Sequence, residues 1–533
     1  MNEIKRENWS GTLGFVLASA GSAIGLGNVW KFPYITGLNG GGAFVMVYLL
    51  CILFIGMPIM ICEMTIGRRT RKNPYGAFAS LQVRRSVTAT LLGALLLAAG
   101  IFFAFSGSYG FAFFASVGAL MLLTLGYGAI GLFSLIAAML ILSYYSVVGG
   151  WIVEYVWRSF SGQLAFDTAQ EAGDAFAAYL TETPGRVAID HLIFLAITAL
   201  MVWSGIRNGI ERWSRILMPA LFLLLLAVIV RSVTLPGAEA GIAFFLKPDF
   251  SKLSTAGLLE ALGHAFYTLS LGMGITITYG SYLKREQNIF KAATWIVVLD
   301  TLAAMMAGLA IFPAVFAMGF DPAAGAGLIF NILPATFNHF PGGLGWLWAG
   351  LFFLMLTIAA LTSAASLLES GVTFLIDQFR MPRKAAVLLV FVSIGALGIL
   401  SSVSVANWDE LPSLYGTLQL FYPSDVLQDS WFNVLDQLTS NWMLPLSGLF
   451  TAIFAGWIWT TRKAGRELRR GAESIADQNL VTWLSGFRGE PLYRIGSNHG
   501  LTLMTLWALL LRFIAPIVVL IVFLQLIGVP LGF

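Results

Sequence analysis

The sequence has little charge: Asp, Glu, Lys and Arg make up 11% of its 533 residues, against about 25% in soluble domains. Apolar residues make up 58%, which excludes a water-soluble globule and indicates an integral membrane protein. The formal net charge is only +4, and the basic residues lie in short loops, which argues against nucleic acid as a partner. The partner that this composition does indicate is the lipid bilayer.

Cysteine and histidine are scarce as well. The two cysteines, Cys51 and Cys62, lie eleven residues apart in one apolar run, about 16 Å along a helix, which is too far for a disulfide. The four histidines are dispersed, at positions 191, 264, 339 and 499. No nucleophile lies beside a base in the sequence, so the chain is not predicted to be an enzyme.

Thirteen apolar runs are long enough to cross about 30 Å of hydrocarbon. No signal-peptide cleavage site follows the first run, which should therefore remain as a membrane helix. We predict one all-α, polytopic transmembrane domain over residues 1–533, with no separate soluble domain. Its spans lie near residues 10–37, 42–67, 87–105, 109–127, 129–157, 188–204, 210–230, 255–282, 292–318, 343–376, 385–404, 441–460 and 501–526.

The basic residues of the loops are distributed unequally between the two sides of the membrane. If the N-terminus is cytoplasmic, the cytoplasmic segments hold 24 Lys and Arg and the outer segments hold five. This is a strong positive-inside signal. It predicts a multi-pass protein of the inner (plasma) membrane with the N-terminus inside and the C-terminus outside.

Two of the spans are interrupted by small and polar residues at mid-depth. The first span of each half of the chain carries them, with five core spans per half, a pattern typical of inverted-repeat transporters. Broken helices expose N–H and C=O groups that can hold a carboxylate and sodium ions; the alternative is that the small residues only permit close helix packing. The interrupting residues are Gly21, Gly25 and Gly27 in the first span, and Thr268, Ser270, Gly272 and Gly274 in the eighth.

Five motifs in order resemble the neurotransmitter:sodium symporter family, in particular its bacterial amino-acid transporters. They are GSAIGLGNVWKFPY at 21–34, NGGGAF at 39–44, YYSVVGGW at 144–151, FYTLSLGMGITITYGSY at 266–282 and LTSAASLLE at 361–369. The resemblance implies a five-plus-five inverted repeat with discontinuous helices 1 and 6. The first repeat would cover residues 10–230 and the second 255–460, with an additional C-terminal helix at 501–526.

The resemblance implies two sodium sites and a site for a small amino-acid substrate. Sodium site 1 would use Ala23, Asn28, Thr268 and Asp300, and sodium site 2 would use Gly21, Ile24, Ala359, Thr362 and Ser363. Taken alone, the hydroxyls of Thr362 and Ser363 could equally bond back to a carbonyl one turn earlier. The substrate site would consist of Ser22, Ala23, Gly25, Gly27, Ile141, Tyr145, Tyr267, Thr268, Ser270, Met273, Ser363 and Leu367.

Asp300 departs from the commoner family residue, which is Asn. It lies about 12 Å into an apolar run, where a carboxylate is functional by default, although a structural pairing with His264 or Lys291 is the alternative. Ala304 stands where chloride-dependent relatives have a hydroxyl ligand. We therefore expect transport without chloride, with Asp300 supplying the compensating charge.

The substrate is expected to be a neutral amino acid. Monoamine carriers of the family have Asp at the position of Gly25, and Tyr145 matches the tyrosine that bonds the substrate carboxylate in the family. The side-chain pocket is mostly apolar, and the flexible Met273 could accommodate bulky groups, which favours hydrophobic or aromatic substrates. A non-transporting amino-acid sensor, or a symporter of another zwitterion such as an osmolyte, remains the alternative.

The resemblance also implies gates, but fewer of the gating residues of the family are matched in this sequence. The cytoplasmic gate would use Arg6, Trp9, Ser281, Tyr282 and Asp377. On the outer side Lys31 replaces the usual Arg; its usual Asp partner aligns with Thr439, which leaves Asp436 one turn away as a substitute. Gly209 and Pro219 match the family's Gly-x9-Pro motif, which lets the fifth core helix unwind. Glu63 could brace the break in the sixth core helix or pair with Arg68.

Residues 87–127 exceed the family pattern. They contain two 19-residue apolar runs joined by SGS, so we predict an inserted transmembrane hairpin before the third core helix. A re-entrant or interfacial hairpin is the competing interpretation. With the inserted transmembrane hairpin, the chain would have eleven core helices and two additional transmembrane helices.

Overall fold

The computed structural model describes residues 6–81, 93–94, 97, 116, 118–121, 123–322, 328–340, 342–406, 431–472 and 503–526. Helices dominate these ranges, and none of the residues they contain is in a β-strand. Most of the predicted hairpin at 87–127 lies outside the described residues, so its path through the membrane stays a prediction.

Helices of very different length occupy the described ranges. In chain order they are α1 (Thr12–Ala23), α2 (Gly27–Leu38), α3 (Gly42–Thr70), α4 (Pro74–Ser80), α5 (Gly128–Phe160), α6 (Ala169–Glu182), α7 (Pro184–Trp203), α8 (Ile206–Val233), α9 (Ala238–Leu246), α10 (Thr255–Thr268), α11 (Ile275–Gly280), α12 (Ile289–Ala317), α13 (Leu328–Asn338), α14 (Gly345–Phe379), α15 (Arg383–Ala406), α16 (Trp431–Ile458), α17 (Thr461–Leu468) and α18 (Leu503–Leu526).

Nine of the helices in the described ranges are long and apolar enough to cross a membrane, and the bent pair α1–α2 makes a tenth span. The pair α10–α11 occupies the remaining predicted core run, at 255–282. Each of the eleven predicted core runs therefore contains a helix or a broken helix. The clearest difference in boundaries is α16, which begins at Trp431 rather than at the predicted residue 441.

The first predicted break lies between α1 and α2. The chain leaves the helix at Ile24, which is extended (φ −76°, ψ 95°), and the two pieces meet at an angle of 48°. Gly25 and the residue after it connect the pieces, so several backbone groups at this point have no partner within a helix. The break consequently leaves polar backbone groups available in the interior of the protein.

The second break lies between α10 and α11. Gly272 and Gly274 adopt positive φ values of 74° and 71°, a region that glycine enters without a steric penalty. Ser270 also has a positive φ, 54°, which is uncommon for a residue with a β-carbon. The polypeptide thus turns sharply at the position that the Gly-rich motif indicated.

The two long helices α5 and α14 pack along each other, and α7 and α15 flank them. On the other side, α1 contacts α8, α12 and α14, while α3 contacts α11 and α12. Both breaks therefore face the α5–α14 pair across the centre of the bundle. This arrangement places the broken segments where a buried site can form.

One end of the bundle, which we call the basic end, gathers the loops around Arg68–Lys72, Arg207–Arg215, Lys284–Lys291 and Arg380–Lys384. Arg68 at the end of α3 is buried there. It donates to the Gln287 carbonyl at 2.6 Å and pairs with the Glu467 carboxylate of α17 at 3.2 Å. Arg68 thereby joins three separate segments through one guanidinium group.

We expect Arg68→Met to lower the free energy of unfolding by roughly 3 kcal/mol or more, because it removes the buried guanidinium group that pairs with the buried Glu467 carboxylate and leaves that carboxylate to the half-exposed Arg69 and Arg470. Arg69→Met is the matched control: Arg69 is 47% exposed and lies 3.9 Å from the same carboxylate, so it should cost less than about 1 kcal/mol. Denaturant titration of the purified protein in detergent measures both variants. Equal losses in the two variants would contradict the structural role assigned to Arg68.

Candidate functional site

A cavity of about 270 Å³ lies between the two helix breaks and the α5–α14 pair. Ten of the twelve residues predicted for the substrate site line it; Ser22 and Thr268 do not. The lining combines small residues at the breaks with aromatic and aliphatic side chains from the long helices. Its members are Ala23, Gly25, Gly27, Ile141, Tyr145, Tyr267, Ser270, Met273, Ser363 and Leu367.

The polar side of this cavity is formed around Gly25. The Leu26 amide donates to the Tyr145 hydroxyl at 3.1 Å. A β-carbon on Gly25 would lie 2.8 Å from that hydroxyl and 2.9 Å from the Ser363 β-carbon, so glycine is what allows these groups to approach so closely. A hydroxyl beside the backbone amides at a helix N-terminus suits a small anionic group such as a carboxylate.

Ser22 lies one layer behind the cavity. Its hydroxyl donates to Ser366 at 2.6 Å, and its carbonyl accepts from the Ser270 hydroxyl at 3.1 Å. These bonds tie the first break to the second break and to α14. Ser22 also lines a neighbouring cavity of about 220 Å³ between α1, α3 and α11. The Ser22 hydroxyl is thus engaged by Ser366, and the role of Ser22 in the substrate site stays a prediction.

Polar side chains surround the Asp300 carboxylate. Asn28 Nδ2 donates to that carboxylate at 2.8 Å and to the Asp300 carbonyl at 3.1 Å, and Thr268 donates to the carboxylate at 3.0 Å. The Asn28 Oδ1 atom accepts from the Gly25 amide at 3.2 Å. Asp300 is fully buried, and its second carboxylate oxygen has no hydrogen-bond partner among the described residues. An unpartnered, buried carboxylate oxygen near the Thr268 hydroxyl is suited to a hard monovalent cation such as sodium.

Tyr48 and His264 lie next to this cluster. Their rings are 5.3 Å apart, and in the described part of the chain neither the Tyr48 hydroxyl nor the two ring nitrogens of His264 have a hydrogen-bond partner. The alternative role for Asp300, a structural pairing with His264 or Lys291, is not what the hydrogen bonds show. Asp300 is bonded to Asn28 and Thr268 instead.

The residues of the second predicted sodium site meet where α1 approaches α14. A β-carbon on Gly21 would lie 3.1 Å from the Thr362 β-carbon, so the two helices are in close contact there. The Thr362 hydroxyl donates to the carbonyls of Ile358 and Ala359 at 3.2 and 3.1 Å. This is the back-bonding that the sequence left open, and it leaves the hydroxyl lone pairs available to a cation.

At the basic end, the predicted gate residues meet. Arg6 Nη1 lies 2.6 Å from both carboxylate oxygens of Asp377, and Nη2 donates to Ser281 at 2.6 Å. The guanidinium group also stacks on the Tyr282 ring at 4.7 Å, and Trp9 donates to the Tyr279 carbonyl at 3.0 Å. These contacts bring together the residues predicted for the cytoplasmic gate, and their gating role stays a prediction.

At the opposite end, Lys31 pairs with Asp436 at 3.3 Å. The Lys31 ammonium lies 5.0 Å from the centre of the Tyr267 ring, so this pair covers the cavity directly. Tyr144 donates to the same carboxylate at 3.0 Å and lies 3.3 Å from the Thr439 hydroxyl. The sequence identified Asp436 only as a substitute for the usual Asp partner of the outer gate. It did not identify Tyr144, although this residue lies beside Tyr145 in the YYSVVGGW motif.

Gly209 and Pro219 are both in the helical part of α8. A β-carbon on Gly209 would lie 2.2 Å from the Met201 carbonyl, so glycine permits close contact with the end of α7. The segment between the two residues is wound in this structure. Its unwinding stays a prediction.

Glu63 of α3 braces the second break. Its carboxylate accepts from the Gly272 amide at 3.0 Å and from the Thr276 hydroxyl. Arg68 is engaged by Glu467, so of the two interpretations of Glu63 the structure agrees with the bracing role. A buried carboxylate thus satisfies backbone and side-chain donors that the break leaves without partners in a helix.

Comparisons with known proteins point to a single family. The sequence pattern of the Sodium:neurotransmitter symporter family matches residues 6–86 and 178–408. An uncharacterized sodium-dependent transporter, YhdH, of Bacillus subtilis is 35% identical and covers 99% of both chains. An uncharacterized sodium-dependent transporter of Haemophilus influenzae is 31% identical, over 98% of this chain and 99% of its own.

A solved structure is similar over nearly the full length. The crystal structure of MhsT in complex with L-phenylalanine matches with a TM-score of 0.77 and 36% identity, and covers 98% of this chain and 99% of its own. These matches confirm the predicted all-helical, multi-pass membrane fold and the prediction of a transporter rather than an enzyme.

The bracing role of Glu63 predicts an asymmetry between two substitutions. Glu63→Ala removes the acceptor for the buried Gly272 amide and should lower the free energy of unfolding by about 1–3 kcal/mol. Glu63→Gln keeps a carbonyl acceptor and should lose less than half of that. Thermal unfolding in detergent compares the two variants; if both lose equally, the carboxylate does not act through these hydrogen bonds.

Proposed function

The chain belongs to the sodium:neurotransmitter symporter family and is a sodium-coupled transporter, and from this premise we propose that it imports neutral, hydrophobic or aromatic amino acids without requiring chloride. The observation that carries the proposal is the cavity between the two helix breaks. It joins a space for a carboxylate at Gly25 to an apolar pocket bounded by Ile141, Met273 and Leu367. An α-amino acid has these two parts in this order.

The carboxylate of the substrate would take the space beside Gly25. The Leu26 amide would then donate to this carboxylate instead of to the Tyr145 hydroxyl, and the Tyr145 hydroxyl would donate to the carboxylate as well. The absence of an acidic side chain at position 25 supports a substrate that brings its own carboxylate, as opposed to a monoamine. That MhsT was solved with L-phenylalanine supports an aromatic side chain in the apolar pocket of this chain as well.

Two sodium ions would accompany the substrate. The first would bind among Ala23, Asn28, Thr268 and Asp300, beside the substrate carboxylate. The second would bind where Gly21, Ile24 and Ala359 meet Thr362 and Ser363. Because both sets include residues of the first helix break and of a long helix, bound sodium would hold the break in one arrangement.

Transport would proceed by alternating access around this fixed site. The Arg6–Asp377 pair would close the cytoplasmic path and the Lys31–Asp436 pair the outer path, with the N-terminus cytoplasmic and the C-terminus outside the plasma membrane. Sodium and substrate would shift the population between the two open states through their different affinities for each. The halves 10–230 and 255–460 would be the two inverted repeats that move against each other.

We expect purified protein in liposomes to accumulate radiolabelled L-phenylalanine or L-leucine when sodium is high outside, and not when potassium replaces it. The Thr362→Ala, Ser363→Ala double variant should lose uptake at least roughly tenfold, because two cation ligands are removed. Thr357→Ala is the matched control on the same helix, since its hydroxyl bonds the Phe353 carbonyl at 2.9 Å, away from the site.

The same assay separates the alternatives. Sodium-dependent binding without gradient-driven uptake would identify a sensor instead of a symporter. Uptake of a quaternary-ammonium osmolyte but of no amino acid on the panel would overturn the substrate assignment while leaving sodium coupling in place.

Chloride independence has its own test. Uptake should be equal in sodium chloride and sodium gluconate, because Asp300 supplies a fixed negative charge beside the first sodium site. The Asp300→Asn, Ala304→Ser double variant removes that charge and adds a hydroxyl, so its uptake should become stimulated by chloride several-fold. Chloride-stimulated uptake by the unmodified protein would show that the charge of Asp300 does not replace the anion.

A further inference from the structure

The start of α1 has no capping side chain of its own. Gly11 occupies the cap position, and the first turn carries no acidic residue. Glu211 of α8 binds the residue just before this cap position. Its Oε2 accepts from the Ser10 amide at 3.0 Å, and its Oε1 accepts from the Ser10 hydroxyl. A carboxylate at this place also interacts favourably with the N-terminal end of a helix.

The Glu211 carboxylate is held in a charged network. Glu211 is buried, with 2% of its side chain exposed, whereas Arg215 one turn later is 46% exposed. Arg215 Nη2 donates to Glu211 at 2.7 Å and to the Ser10 hydroxyl at 2.6 Å. Because a buried carboxylate without partners is costly, the contact with Ser10 is favoured as long as α8 stays wound at Glu211.

The carboxylate also lies directly against the backbone of α1. A β-carbon on Gly14 would lie 1.9 Å from Glu211 Oε1, so any side chain at position 14 would overlap with the carboxylate. A β-carbon on Gly11, three residues earlier, would meet no atom within 4 Å. Glycine at position 14 is therefore what allows Glu211 to reach the start of α1.

The contact is reciprocal. Glu7, which precedes α1, accepts a hydrogen bond from the Ile206 amide, the first residue of α8, at 2.6 Å. The segment before α1 and the start of α8 thus each supply a carboxylate that accepts a hydrogen bond from the other segment. Glu211 lies between Gly209 and Pro219, the two residues that bound the stretch expected to unwind.

We propose that Glu211 is a positioning residue that clasps the start of α1 to α8, and that this clasp must open for the path from the second sodium site to the basic end to open. The inference rests on the proposed function, since it assigns one step of the transport cycle to this contact. Unwinding between Gly209 and Pro219 carries Glu211 away from Ser10. Release of α1 and unwinding of α8 are then one event rather than two.

Hydrogen–deuterium exchange of the full-length protein in lipid nanodiscs tests this. In saturating sodium, Glu211→Gln and Gly14→Ala should each accelerate amide exchange over residues 206–219 by roughly tenfold, the effect of losing a hydrogen bond to a charged group. Gly11→Ala is the matched control and should exchange like the unmodified protein. Exchange in the centre of α5 should not change in any variant.

Sodium adds a readout that a merely structural role would not affect. In the unmodified protein, replacing sodium with potassium should accelerate exchange over 206–219, because the second site is then empty. In Glu211→Gln this replacement should add little, since the clasp is already open. Unchanged exchange in Glu211→Gln and Gly14→Ala would overturn the inference, and so would an equal acceleration throughout α5, which would indicate general destabilisation.

The failure of this inference and the failure of the proposed function give different results. If exchange in the unmodified protein does not respond to sodium, the assignment of a sodium site fails while the comparison of Gly14→Ala with Gly11→Ala still decides whether the clasp exists. If sodium acts as expected and both variants match the unmodified protein, the clasp fails and sodium coupling stands.

Discussion

A helix that breaks inside a membrane leaves amide and carbonyl groups that lipid cannot satisfy, and the structure of this transporter depends on how those groups are satisfied. At the first break, the Leu26 amide is bonded to Tyr145 of α5. At the second, the Gly272 amide is bonded to Glu63 of α3. The partners come from long, unbroken helices, so the position of the site is fixed by rigid elements while its lining consists of irregular backbone.

This constraint explains why so much of the fold could be predicted from the sequence. Apolar runs of membrane length and glycine clusters at mid-depth are local features, and each predicted core run contains a helix or a broken helix of the structure. The residues around the cavity come from segments far apart in the chain, such as Gly25, Ile141 and Leu367. Composition alone could not have assembled them; the family motifs did, because each motif marks a piece of backbone with a fixed place in the bundle.

The remaining features depend on contacts between segments that carry no common pattern. The sequence placed Thr439 where relatives have an acid, and a shift of one turn to Asp436 can be verified only when α16 is seen beside Lys31. The resemblance assigned Ser22 to the substrate site, and the bond between its hydroxyl and Ser366 of α14 could not be predicted from either segment alone. Glu211 and Ser10 lie 201 residues apart in the chain, and although Glu211 falls within the Gly-x9-Pro motif, nothing in that motif indicates Ser10 as its partner. Such pairs are set by the packing of the helices that carry them.

The two closed ends are not equally strong, which bears on the direction in which the site opens first. At the basic end Arg6 engages both oxygens of Asp377 and the Ser281 hydroxyl at 2.6 Å, and both charged side chains are at most 15% exposed. At the opposite end the Lys31–Asp436 pair is longer, 3.3 Å, and Asp436 is 30% exposed. A compact ammonium is also more strongly hydrated than a guanidinium group, so water competes better for Lys31. In the proposed cycle, opening toward the opposite end would separate the longer and more exposed ion pair, together with the hydrogen bonds that Tyr144 and Ser440 donate to Asp436 at 3.0 and 2.9 Å.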